Sequence, residues 1–173
     1  MTSQTALLRF DIKGWWTAGS GTGVRGYVAG TVQRSGDGLP MLTGKAVKGL
    51  VREAMTQAEG FGRLEAGICT WLCGSPGERV GDMRRARFHS RPGRARFGNA
   101  ELPEAWRAWA AAHRGEPILD RFFDVLHQTA VDDDGLAAGK TLRSIEVAAP
   151  MVLHAPIELA EPAPFDWRAA LAL

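Results

Sequence analysis

The chain has 173 residues, 45% of them hydrophobic and 23% charged, which fits a single globular domain and excludes wholesale disorder. No apolar run reaches the roughly 18 residues a membrane span needs, and Met1–Phe10 lacks a basic start ahead of an apolar core, so no secretory signal is expected. The net charge of +2 hides an asymmetry: residues 1–60 carry +3, residues 61–100 carry +5 and residues 101–173 carry −6, a division that suits a bound polyanion or head-to-tail contact between copies.

In chain order, residues 5–13 alternate apolar and polar and read as a half-buried strand, ended by Trp15 and Trp16. A glycine-rich loop follows. Gly21, Gly23 and Gly26 have dinucleotide-loop spacing, but the strand-like YVAGTV comes next where a helix is needed, so a Rossmann site is not expected. After the turn cluster QRSGDGLP, Thr43 is placed to cap a helix running to about Glu59, with Val47, Leu50, Val51, Ala54 and Ala58 on its buried face. On the same helix Lys45, Lys48 and Arg52 are spaced i, i+3, i+7 and line up. Cations in a first turn oppose the macrodipole, so helix stability alone does not explain the two lysines. Beside free backbone N–H groups they make a site for an anion such as a phosphate.

Residues 60–93 read as an irregular, basic insertion. Arg79, Arg84, Arg85, Arg87, Arg91, Arg94 and Arg96 run from this stretch into the next, interleaved with Phe88 and His89, a plausible single-strand nucleic-acid surface. Cys69 and Cys73 are too few for a disulfide framework, and the reducing cytoplasm is the expected compartment. With His89 they are the only zinc candidates, short of the four ligands a tetrahedral site takes; two buried thiols are expected, and no cofactor.

Beyond this, GRARFGNAEL reads as a strand, ELPEAWRAWAAAHRG as a short helix with Pro103 near its start, and DRFFDVLHQTAV as a second helix or an extended arm. Trp106 and Trp109 are expected in the core. DDDGLAAGKT is a polar loop. Its GLAAGKT is one residue short of a phosphate loop and follows Asp132, Asp133 and Asp134, which would repel a triphosphate. LRSIEVAAP and MVLHAPIEL are strands broken at Pro150, and FDWRAALAL starts a last helix. No spacing marks a nucleophilic triad. The residues alone describe a small basic α+β domain able to bind nucleic acid.

The segment LPMLTGKAVKGLVR, Leu39 to Arg52, resembles the signature of the RAMP superfamily of CRISPR effector subunits, an apolar Pro-x-Ile-Pro-Gly-Ser-Ser-Leu-Lys-Gly run with a following Arg. Pro40, Gly44, Val47, Lys48, Gly49 and Arg52 fall in register; Thr43 replaces the second proline and Lys45-Ala46 the two serines. LLRFDIKGWWTAGSGTG is similar to the family's first strand, ICTWLCGSPG to the segment after its first helix, and HQTAVDDDGLAAGKTLRSIEVAAPMVLHAPIEL to its thumb hairpin and following strands.

The resemblance implies a single domain, residues 1–173, with a modified ferredoxin-like (RRM-type) fold, a thumb-like loop at 125–142 and the basic insertion at 60–93. It implies a Csm/Cmr-type, type III-like backbone subunit whose partners are guide RNA (crRNA), target nucleic acid and neighbouring RAMP subunits, with no membrane. By position Thr43, Gly44, Lys45, Lys48 and Arg52 become RNA-backbone contacts; Arg84, Arg85 and Arg87, from the basic stretch, are the further RNA-binding candidates. Asp132, Asp133, Asp134 and Lys140 fall at the thumb tip. Cleaving relatives carry an Asp where Ala29 stands, so a subunit that binds without cutting is expected. The rival is a ribonuclease cleaving guide-matched target RNA through His89, His113, His127 or Asp132–Asp134. Cys73 falls where an apolar Phe is usual, which puts zinc in doubt. The family's last helix and strand have no match before Leu173, so a longer polypeptide or another chain is expected to complete that end.

Overall fold

The computed structural model describes residues 4–23, 28–75, 91–130 and 142–172. Its elements are β1 (Gln4–Ile12), α1 (Gly44–Gly60), α2 (Ile68–Cys73), β2 (Ala95–Phe97), α3 (Glu104–Ala112), a 3-10 helix (Pro117–Phe122), β3 (Phe123–Gln128), β4 (Arg143–Ala148), β5 (Met151–Leu159) and α4 (Trp167–Leu171). One sheet has the order β1-β5-β2 and the other is the β3-β4 pair, so the chain is α+β as its sequence predicts. No helix among the described residues is long and apolar enough to cross a membrane.

The chain divides into two compact units. The first comprises Met1–Leu8, Gly44–Asn99 and Ala155–Leu173. Its core is Val47, Val51, Met55 and Ala58 of α1, Cys69, Leu72 and Cys73 of α2, and Ala155, Ile157 and Leu159 of β5, with Trp167 and Ala170 of α4. β2 pairs antiparallel with β5 in the register Ala95↔Leu159 and Phe97↔Ile157. Asp166 caps α4 by accepting the N–H groups of Arg168 and Ala169, and the Trp167 indole donates to Gln4 Oε1 at 2.7 Å.

The second unit comprises Arg9–Thr43 and Ala100–His154. Val28, Val32, Leu39, Met41 and Leu42 are buried there with Ala110, Leu119, Val147, Ala148 and Leu153. β3 and β4 form an antiparallel hairpin in continuous register from Phe123↔Ala148 to Gln128↔Arg143. Trp16 bridges to Ala148 and Gly30 to Ile145, so the segment after the glycine-rich loop lies along β4.

Three expectations are corrected in detail. The buried stripe of α1 is Val47, Val51, Met55 and Ala58, while Leu50 is 48% exposed and Ala54 is exposed. Burial therefore follows one narrow i, i+4, i+8, i+11 line. Within 60–93, Ile68–Cys73 is not irregular but a short helix whose three buried residues pack in the first unit. Trp106 is 49% exposed and touches Trp109 and Phe122 edge-on at 6.0 Å, so it rims the second unit's core. Of the alternatives for Asp120–Val131, the extended arm is realised as β3.

Candidate nucleic-acid interface

Helix α1 begins at Gly44, straight after Thr43, and its first turn holds no acidic residue. The Gly44 N–H donates to Asn99 Oδ1 at 2.9 Å, a side-chain cap supplied from outside the helix. Gly44 is dictated by packing: a Cβ there would collide with the Phe97 carbonyl oxygen, a backbone atom that cannot step aside. This close approach seats the helix start against β2.

Lys45 is exposed and Lys48 half-buried, and neither pairs with a carboxylate among the described residues. Arg52, third in the row, is half-buried and partly engaged. Its NH2 donates to the Cys73 carbonyl and, at 3.5 Å, to that of Gly74, tying α1 to the end of α2. Its Nε is buried with no hydrogen-bond partner.

Cys69 and Cys73 are buried thiols, as expected. Burial first, and the neighbouring Cys69 second, push the Cys73 thiol up to about 11, against the pull of Arg52 and Lys48. Cys69 Sγ lies 3.6 Å from both Thr56 Oγ1 and the Arg52 carbonyl.

Of the arginine-rich stretch, Arg91 and Arg96 are exposed and Arg94 pairs with Glu161 at 2.5 Å. Arg79, Arg84, Arg85, Arg87 and His89 lie outside the described residues, as do Asp132, Asp133, Asp134 and Lys140 of the loop between β3 and β4.

In the second unit, Ala29 is exposed and donates its N–H to the Ser144 carbonyl at 2.7 Å. Next to it, Glu146 Oε2 accepts the Val32 N–H at 2.8 Å and Oε1 pairs with Arg34 at 2.7 Å. The Arg34 guanidinium also lies over the Phe123 ring, 3.7 Å from its centroid. A cavity of about 280 Å³ is lined by Arg34, Asp120, Phe123, Asp124, Val125 and Glu146. His113 is committed to the aromatic cluster: it stacks on Trp109, and its Nδ1 lies 2.8 Å from the Trp109 carbonyl oxygen. His127 is exposed, with Nδ1 2.8 Å from Ser144 Oγ.

Sequence reasoning missed Asn99, Arg34 and the His127–Ser144 pair. Each depends on residues distant in sequence, and only the strand register brings 127 opposite 144.

No protein-family model matches the chain, and no curated protein matches it in sequence. Solved structures do. A chain in the cryo-EM structure of type III-B Cmr-beta bound to cognate target RNA superposes with a TM-score of 0.65 at 10% identity, over 94% of this chain and 85% of that one. A chain of the apo state of type III-B Cmr-beta gives 0.62 at 10% identity, over 93% and 85%. This chain thus shares its fold with chains of type III-B Cmr-beta.

Proposed function

We propose that the chain is a non-cleaving, RNA-binding backbone subunit of a type III-like CRISPR interference complex, with a modified ferredoxin-like RAMP fold. It holds guide RNA by its sugar-phosphates and contacts target nucleic acid and neighbouring subunits. The observation that carries this reading is the start of α1, where Lys45 and Lys48 stand in or beside an acid-free first turn without a carboxylate partner among the described residues. Ammonium groups at a helix start suit a phosphate and carry no sequence information, as a scaffold for guides of any sequence requires. The fold shared with type III-B Cmr-beta chains supports the same reading.

In this reading the thumb-like segment is 125–142; of it, residues 125–128 of β3 pair with residues 143–146 of β4. Ala29 stands where a cleaving relative has its Asp, and a methyl group can neither accept a proton from a 2′-hydroxyl nor hold a metal. Arg52 braces α2 and has less of its guanidinium to offer than either lysine.

Salt dependence tests the reading. At ~0.7 per single-strand phosphate contact, the K45A/K48A double variant should flatten the slope of log affinity against log salt by about 1.4 units. An unchanged slope places the RNA elsewhere on the chain. The ribonuclease alternative is tested by incubating guide-bound protein with matched target RNA: intact target is expected, and cutting abolished by a triple Ala change at Asp132, Asp133 and Asp134 would replace the scaffold reading.

A further inference from the structure

Helix α2 ends at a neck where the chain on either side of residues 76–90 pairs with itself. Gly74 bridges to Pro92, the Ser75 N–H donates to the Arg91 carbonyl at 3.0 Å, and Ser75 Oγ accepts the Arg91 N–H at 2.9 Å. One step further on, the Arg94 N–H donates to the Trp71 carbonyl at 3.1 Å. The two backbones lie too close for side chains: a Cβ at Gly74 would strike the Arg91 carbonyl, and one at Gly93 the Leu72 carbonyl.

Arg52 ties this neck to α1. Its NH2 donates to the carbonyls of Cys73 and Gly74, acceptors at the C-terminal end of α2, and its Nε is buried. Both nitrogens are therefore turned into the protein and away from a ligand. Lys48, one turn before Arg52 on α1, acts together with Arg52 on the Cys73 thiol, which places it at the same end of α2. Arg91 is the cation that the neck adds there. Ser75 holds its backbone at both the N–H and the carbonyl, while its side chain is exposed and pairs with no carboxylate among the described residues. Lys48, Arg52, Gly74 and Arg91 all belong to the first unit.

We propose that Arg91 is a further phosphate-contacting residue, set beside Lys48 by the neck, and that Arg52 is the positioning residue that holds the neck in place. This rests on the RNA-binding reading of α1 above. Arg52 then acts on RNA through Arg91 and not by touching it.

The test is binding of the full chain to one single-stranded RNA over a range of salt concentrations. R91A should flatten the slope of log affinity against log salt by about 0.7 units, one phosphate contact, and R52A should do the same. The double variant R52A/R91A should match R91A, because Arg52 then has nothing left to position. A double variant flattened by about 1.4 units overturns the proposal by making Arg52 a contact of its own. A weaker affinity in R52A at unchanged slope also overturns it, since loss of folded protein alone has that effect. So does an unchanged slope in R91A. If R52A does not fold, S75A takes its place, because it removes the acceptor of the Arg91 N–H with Arg52 intact. S75A should flatten the slope and add nothing to R91A; no change of slope, or an effect that adds to that of R91A, overturns the neck's role. Failure of the unaltered chain to bind RNA removes the RNA-binding reading itself, an outcome separate from these.

Discussion

Two glycines of the Leu39–Arg52 segment have different reasons to be there. At Gly44 the obstacle to a side chain is the Phe97 carbonyl, and relief would require parting α1 from β2. G44A should therefore destabilise the chain by about 1–3 kcal/mol, the usual cost of forcing atoms into a packed site, measured as a lower denaturation midpoint. Gly49 has open space around its missing Cβ and lies within α1. G49A should stabilise the fold by about 0.5–1 kcal/mol by removing a helix-interior glycine. Stabilisation by both changes would mean that the helix start is not seated on β2. The segment's glycine pattern was visible from sequence, but the distinction between the two was not, because Phe97 is 53 residues away from Gly44 along the chain.

At the scale of elements, the pairing of α1 with α2 concentrates two thiols and a guanidinium in the first unit's core. Folding favours the protonated Cys73 thiol, whose pKa rises from 9.0 to about 11. Its contribution is therefore whole below pH 9, where the unfolded thiol is also protonated, and is lost as pH rises through about 11. Stability should fall across that window, and C73V, which keeps an apolar group of similar size, should flatten the decline. Denaturation midpoints at pH 7, 9 and 10.5 for both proteins check this; parallel curves would show that Cys73 ionises freely. The extent of α1 was legible because capping and periodicity are local, and β4 and β5 were legible because Pro150 separates two apolar runs. The buried line of α1 was less so: Met55 and Ala54 are neighbours of similar helical preference, and only contact with α2 and the sheet decides which turns inward. Likewise β3 was ambiguous, since FFDVLHQ fits either period until β4 supplies a partner.

For the whole molecule, charge is the property that bears on assembly. Residues 61–100 carry +5 and residues 101–173 carry −6, so copies set in a row along one RNA can meet basic stretch to acidic stretch while both remain near a polyanion. Under the proposed function the RNA supplies the axis and the protein contacts supply the spacing. The expected outcome is that electron micrographs of the chain with a long RNA at about 0.1 M salt, where charges act over ~10 Å, show regular rows, and that the chain without RNA shows separate particles. Raising the salt toward 1 M, where that range shrinks to ~3 Å, should disperse the rows. Rows that survive high salt would move the protein contacts from charge to apolar surface, for which the exposed Leu7, Phe61 and Leu142 are the first residues to alter. Single particles scattered irregularly along RNA at low salt would instead make this an RNA-binding module that shares the fold of effector subunits without their mode of assembly.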